Sequence, residues 1–440
     1  MWILLLAILV LVVVSYIAGN RDLFNPVFLC CSMFMVSAVC AATNISIWGI
    51  DLSSTTILLI VLSLLSMITF GWLGLYVPTK KVNGNLVEAG LRYIYIDNFK
   101  LFCVILLGVL STVFYLRDVI SIARRYGYAL GGGIGVLIGT FRSNSHFSID
   151  LEDKVSSLSS WTMDLFRLSA YIMTYIGVNN WIVTKKTKEC VRFFAITVFF
   201  CLSILISGAR MQILKISIFA VLVYFILLKK HNKWNTRIRT KSLIKILAFI
   251  VVILVAFVGL REYVGRSTSD SPLYYLTRYM GGSIQLLDLF VEKPIVDTSV
   301  WGKETFYNTI NFLGRRLGNS NWRYVFAKEF RSSNGVNVGN VYTALRCFYA
   351  DFGFIGTLIC SAIVGFVFSF VYALIRKRKK VRLVDPLITL YCYFSYSYVL
   401  FSINYYFDFI GITFFKILVL FLIVRWYIVD FNCRIKLKLK

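Results

Sequence analysis

Apolar residues in this chain fall in long continuous blocks, without the three-to-four spacing of an amphipathic helix or the alternation of a half-buried strand. The blocks lie near 2–18, 27–43, 55–77, 99–116, 161–183, 191–207, 211–228, 243–260, 350–375, 384–404 and 409–428. About 20 helical residues cross the roughly 30 Å hydrocarbon layer of a membrane. The pattern therefore predicts an all-α polytopic membrane protein of about 11 transmembrane helices. Two long polar stretches interrupt it, at 117–160 and 261–349, the latter most polar from Arg261 to Asn340. The expected organisation is helices 1–4 in 1–116, a first long loop in 117–160, helices 5–8 in 161–260, a second long loop in 261–349, helices 9–11 in 350–429, and a basic tail in 430–440.

The composition, 58% hydrophobic and 15% charged, excludes an ordinary soluble domain. A formal net charge of +26 would suit a nucleic-acid binder, but its distribution argues otherwise. Basic clusters at Lys80-Lys81, Lys185 to Lys188, Lys229 to Lys245, Arg376 to Arg382 and Arg434 to Lys440 all fall on one side if the spans alternate. With Arg21, Arg92, Lys100 and Arg192, that side holds 26 basic and 6 acidic residues, so most of the surplus is a topology signal. By the positive-inside rule it is the cytoplasmic side. The N-terminus is then external, on an uncleaved anchor, and the C-terminus internal. Both long loops are external; between Arg117–Lys154 and Arg261–Arg331 they carry 15 basic and 11 acidic residues, a near balance that suits a folded surface.

Cysteines and histidines add little. Most of the ten cysteines lie in apolar blocks, Cys347 is the one expected outside, and two histidines without a Cys/His cluster predict no protein-built metal site and no cofactor. Gly131-Gly132-Gly133 with Gly135 follows no strand, so it reads as a flexible or re-entrant turn before it reads as a phosphate cradle.

Ionisable groups inside a span are costly and therefore informative. Eight occur in or at the lip of a span: Asp164, Arg167, Arg210, Lys215, Arg346, Asp351, Lys416 and Arg425. Asp164 and Arg167 share a helix face and suit an internal ion pair or a charged wall beneath the loops. Arg425 can snorkel to the nearby surface, and Lys416, mid-span, has no local partner. Arg210 follows the tight turn Ser207-Gly208-Ala209 and opens a helix, where free N–H groups and the helix dipole favour an anion. A guanidinium there would suit phosphate, with Lys215 a turn deeper adding charge, although an anchor among lipid headgroups is the competing reading. Tyr342, Arg346 and Tyr349 line one face if helical, and a kink near Gly353 would bring Asp351 to them. Two more polar clusters precede them: Arg278 to Ser283 with Asp288, and Trp301 to Phe306, which contains Glu304.

At these residues the sequence resembles the Wzy-type polymerases of O-antigen and other oligosaccharide repeat units. The resemblance rests on Gly281–Asp288 (GGSIQLLD), Trp301–Phe306 (WGKETF), Asn340–Gly356 (NVYTALRCFYADFGFIG) and the Ser207–Arg210 turn. The family's arginine and glycine with fifteen residues between them find counterparts in Arg117 and Gly133, Arg266 and Gly282, and Arg323 and Gly339. The chain departs from the family's usual twelve spans with both termini cytoplasmic. The resemblance implies a GT-C-like architecture in a bacterial inner membrane, with the active site facing the periplasm. It implies transfer of a growing glycan from undecaprenyl diphosphate to the non-reducing end of a new undecaprenyl-diphosphate-linked repeat unit, and it is compatible with a chain-length regulator as partner. Arg210, backed by Arg278 and Arg346, would hold the leaving diphosphate. Asp351 or Asp288, with Glu304 behind them, would act as base, and Tyr342, Tyr349 and Lys215 would complete the substrate site. Two rivals remain open at this stage. One is an O-antigen ligase, expected to use an external histidine where only His146 is external; the other is a flippase, expected to line the whole membrane path with polar groups.

Overall fold

The structure is a computed structural model that describes residues 1–77, 91–129, 131–148, 151–232, 234, 240–265, 270–297, 299–378 and 381–431. The basic clusters at Lys80-Lys81 and Arg434 to Lys440, and Arg266, lie outside the described residues. The chain is mostly helical: α1 (Trp2–Ala18), α2 (Pro26–Ala42), α3 (Ile45–Trp48), α4 (Ser54–Tyr76), α5 (Asn98–Arg125), α6 (Gly133–Phe147), α7 (Ser157–Thr184), α8 (Lys188–Leu205), α9 (Met211–His231), α10 (Thr240–Gly259), α11 (Pro272–Glu292), α12 (Tyr307–Leu317), α13 (Leu345–Lys377), α14 (Pro386–Phe394), α15 (Tyr396–Val399) and α16 (Ile412–Arg425). A hairpin of β1 (Arg331–Ser333) and β2 (Val336–Gly339) precedes α13. Among the described residues, α4, α5, α9, α13 and Ile412–Asp430 are long and apolar enough to cross a membrane, and α1, α2 and Ala248–Gly259 are shorter apolar helices.

Helices in lipid associate through close packing more than through hydrophobic expulsion, and small residues let their backbones approach. The α4–α13 pair shows this. A Cβ on Gly74 would lie 2.6 Å from the Phe366 carbonyl oxygen, and one on Gly365 2.4 Å from that of Met67. The polar groups that the charge pattern assigns to one side also meet one another. Tyr372 donates to Asp22 at 2.7 Å, Lys229 lies 3.8 Å from the same carboxylate, and the Lys230 ammonium reaches the Arg376 carbonyl.

The two long loops are not loops. Helix α5 runs on to Arg125, well beyond its apolar block, and packs Val119, Ile122 and Ala123 against Leu137 and Phe141 of α6. Gly133, with φ +78°, forms the turn that starts α6, where sequence reading placed a flexible or re-entrant turn. The segment 261–349 departs further from expectation. Ser271 caps the first turn of α11 by accepting from the Tyr274 N–H, and Pro272 opens the helix with the fixed φ it prefers. From Gly281 to Val291 most of α11 is buried. It lies directly on α2: a Cβ on Gly281 would stand 2.3 Å from the backbone nitrogen of Ala41. Ser283 donates to the Ser402 carbonyl at 2.7 Å, and Ser37 to the Ser402 hydroxyl at 2.8 Å, so α2, α11 and the chain after α15 are tied at one point. Helix α12 and the hairpin complete a packed cap over this end. The hairpin turns through Asn334-Gly335, both left-handed as a tight two-residue turn needs. It docks on α3 through a 2.6 Å bond from Ser333 to the Trp48 carbonyl.

The Gly281 contact has a direct consequence. Gly281→Ala gains helix propensity of about 1 kcal/mol but drives a methyl into the α2 backbone, where overpacking costs about 1–3 kcal/mol or more. With backbone as the obstacle the cost should win, and the unfolding midpoint in detergent should fall by several degrees. Gly131→Ala, where a Cβ meets nothing within 4 Å, should be silent. Equal midpoints for the two variants would refute the tight α2–α11 contact.

The apolar block at 384–404 is broken into two short helices. The Ser395 hydroxyl bonds the Tyr391 carbonyl (2.7 Å) and that of Ser397 bonds the Phe394 carbonyl (2.7 Å), so side chains compete with the backbone ladder here. Helix α13 bends at Gly353 (φ 66°, ψ −165°), the kink expected from sequence.

Candidate functional site

Ionisable side chains from several segments converge at the capped end of the bundle. Three groups adjoin one another along the outer turns of α9, and a fourth lies under α11 and α12.

The first group surrounds Tyr275. Arg210 is the residue that starts α9, but its guanidinium turns inward. It donates to the Phe257 carbonyl and to the Tyr275 hydroxyl, both at 2.6 Å, lies over the Phe257 ring at 4.4 Å, and is 3% exposed. Arg261 and Arg278 also approach the Tyr275 ring, at 5.5 and 5.9 Å. Arg278 pairs with the Asp270 carboxylate at 2.8 Å, and Arg261 donates to the Asp270 carbonyl at 2.8 Å. Arg210 and Arg278 thus belong to one neighbourhood, as expected. The open phosphate fork expected at Arg210 is corrected: two of its donors bind α10 and α11, and buried donors take such partners because orphaned ones are costly.

The second group lies deeper. Lys215 places its ammonium 4.1 Å from the Tyr396 ring centre and 4.9 Å from that of Tyr406, with no hydrogen bond or ion pair among the described residues. Aromatic faces attract a cation without neutralising it. Asp408, exposed on the link between α15 and α16, acts electrostatically on Lys215 and Tyr396. Its carboxylate has no hydrogen bond or ion pair among the described residues; only its backbone carbonyl is used, by Asn308 at 2.7 Å. Sequence reading passed over Asp408. Its signal was available: a lone carboxylate set in the apolar and aromatic run from Tyr405 to Phe409.

The third group answers the question of Lys416. Its ammonium lies 2.6 Å from one oxygen of Asp164, whose other oxygen pairs with Arg167 at 2.6 Å, and it sits 4.6 Å from the Trp161 ring centre. The Asp164–Arg167 pair within one helix face is as read from spacing, and α16 supplies the third member. The Arg167 Nε–H is buried with no partner among the described residues.

The fourth group is closed. Arg346, 3% exposed, donates one guanidinium nitrogen to Glu304 and the other to Glu329 (2.8 Å), and lies over Phe290 at 4.4 Å. Tyr342 donates to the Glu329 carboxylate at 3.0 Å, and both Tyr342 and Tyr349 meet the Phe290 ring edge-on. Asp351 accepts the backbone N–H groups of Glu304 (3.1 Å) and Thr305 (2.6 Å). Asp288 is 1% exposed and accepts the Ser53 N–H (2.9 Å) and hydroxyl (2.8 Å), holding the start of α4. Tyr342 precedes α13, so the three do not share a helix face, but Tyr342, Arg346 and Tyr349 all meet the Phe290 ring, and Asp351 reaches the Glu304 turn. Arg346 is paired with two carboxylates, and Asp351, Asp288 and Glu304 each make bonds within the protein, as charged groups held from water do.

The chain matches no family model, no curated protein and no solved structure.

Proposed function

We propose that this protein polymerises lipid-linked oligosaccharide repeat units, moving a growing glycan from undecaprenyl diphosphate to a hydroxyl on the non-reducing sugar of a new undecaprenyl-diphosphate-linked unit. The setting is a bacterial inner membrane crossed about eleven times, with the capped end facing the periplasm. The observation that carries this reading is the exposed Asp408 carboxylate, without a hydrogen bond or ion pair among the described residues, acting on Lys215, whose ammonium meets only aromatic faces.

A glycosyl transfer from a diphosphate needs two things of its site. Negative charge grows on the leaving oxygen, and cations fixed before the reaction stabilise it without reorganising. Lys215 fits that task, and the Arg210–Tyr275 junction holds the start of α9, and so Lys215, in position. The attacking hydroxyl needs a base within hydrogen-bond reach, and an exposed, unpaired carboxylate suits it better than one already accepting two backbone N–H groups. Asp408 takes that role here. The ionisable groups gathered at the capped end favour a reaction at that face over a polar path through the bundle.

Purified protein supplied with lipid-linked repeat units should build a ladder of products differing by one unit. A strain lacking it should display a single repeat unit on its lipid acceptor, whereas loss of a ligase leaves none. Conversion of nothing beyond the single unit by active, folded protein would sink the proposal.

A further inference from the structure

Two cavities meet at α12, and the first of them reaches Trp161 and Lys416 of the third group. One, of about 600 Å³, lies between α12 and α16 and opens sideways past Phe312, Ile412, Phe415 and Val419. Phe415 and Val419 are 61% and 54% exposed on a helix long and apolar enough to span a membrane, so this mouth faces the hydrocarbon layer if α16 crosses it. The other, of about 730 Å³, lies between the end of α5, the chain that follows α6, and α12, and is lined by Arg125, Lys154, Arg315, Arg323, Glu152 and Tyr324 among others. Tyr307, Asn311 and Arg315 line both cavities.

The charges of the polar cavity do not cancel. Arg125 takes the acids, lying 3.4 Å from Glu152 and 3.9 Å from Asp153. The side chains of Arg315 and Arg323 have no ion pair or hydrogen bond among the described residues, and both residues are exposed. Burial, and then the neighbouring Arg315, push the Lys154 ammonium below its ordinary value, with Asp153 acting in the opposite direction. An apolar trough open to lipid, a cation at its inner end and a roomy polar chamber beyond describe the three parts of one amphiphile.

We infer that the groove between α12 and α16 seats the long-chain lipid diphosphate of the acceptor unit, distinct from the donor diphosphate at Lys215, with its tail against Phe415 and Val419, its phosphates at Arg315 and its polar head group in the adjoining chamber. This rests on the function proposed above for the identity of the head group, a glycan. The occupant is a polyprenyl diphosphate and not a bulk phospholipid, because a diacyl headgroup would leave the chamber empty and its cations unmatched. Asn308 on the groove wall donates to the Asp408 carbonyl, so the groove runs toward the proposed base.

Displacement of a fluorescent polyprenyl diphosphate from the full-length protein in nanodiscs tests the assignment. Arg315→Gln should weaken binding about tenfold, and Arg315→Lys should retain most of it. Val419→Trp, which fills the trough, should weaken the long-chain probe and leave a ten-carbon prenyl diphosphate unaffected. Unchanged affinity in Arg315→Gln overturns the inference, as does displacement of the probe by an equal concentration of phosphatidylglycerol, which would mark a bulk-lipid seat. The measurement reads no polymer. Intact, Arg315-dependent binding without any ladder would refute the polymerase reading alone, and a ladder insensitive to Arg315→Gln with unchanged binding would refute the groove alone.

Discussion

Replacing Arg346 by methionine should cost the folded protein about 3 kcal/mol, the size of effect seen when one partner leaves a buried ion pair. The guanidinium is 3% exposed and is shared between Glu304 and Glu329. Its removal strands two carboxylates, one of which is also held by Tyr342 (3.0 Å) and Arg331 (3.3 Å). Lys328, now donating to Asn404 at 2.7 Å, can offer partial relief, which keeps the expected loss at the lower end of the range. The unfolding midpoint in detergent should drop by several degrees. Adding Glu304→Gln and Glu329→Gln to Arg346→Met should recover most of it, since uncharged partners carry a far smaller burial penalty. The triple variant should also polymerise, because the cluster supports the cap and does not meet substrate. A single variant as stable as the parent would show that water reaches the carboxylates, and a stable triple variant without activity would return Arg346 to the substrate site.

That outcome bears on how a charge at the lip of a span is to be read from sequence. Spacing anticipated Arg346 and Tyr349 as neighbours and a bend at Gly353, because both follow from helix geometry, whereas Tyr342, ahead of α13, joins them only through Phe290. The partners Glu304 and Glu329 come from elsewhere in the chain, and nothing local announces that they close on Arg346. Asp288 is the same case at longer range: its partner, Ser53, is 235 positions away. Sequence can say that a buried charge must be paired or used. It cannot say which without the fold.

The helical framework was more legible, since each apolar block coincides with helix, whole or broken. The polar segment 261–349 was misread because its mean polarity masked its punctuation. Ser271-Pro272 is a helix start, and Asn334-Gly335 between short extended runs is a hairpin signal. Gly281 is what lets α11 lie against α2, while Gly282 makes room for Val338 of the hairpin and Ser283 ties to Ser402. In a water-exposed loop these small residues would have no such task. Lys416 was illegible for the opposite reason: its partner Asp164 had already been assigned to Arg167 by spacing, and a carboxylate has two oxygens.

Asp408→Asn should slow polymer formation by about 10²–10⁴-fold, the usual worth of a positioned general base. The acceptor sugar hydroxyl must lose its proton as it attacks, and an amide cannot take it. Asn keeps the size and most of the polarity of the side chain, and the carboxylate makes no described hydrogen bond or ion pair within the protein, so expression and unfolding midpoint should be unchanged. Binding of a polyprenyl diphosphate should also persist, placing the defect in the chemical step: kcat falls while KM for the lipid-linked unit moves little. Asp408→Glu should keep part of the rate, because the base is retained but displaced by one methylene. Asp351→Asn and Asp288→Asn provide the contrast. Each weakens a carboxylate that receives two donors, at the Glu304–Thr305 turn and at the Ser53 start of α4, and should lower stability before it lowers the rate per folded molecule. If Asp408→Asn builds ladders at the parental rate while Asp351→Asn is stable and inactive, the base is Asp351, and the link between α15 and α16 is only a connection.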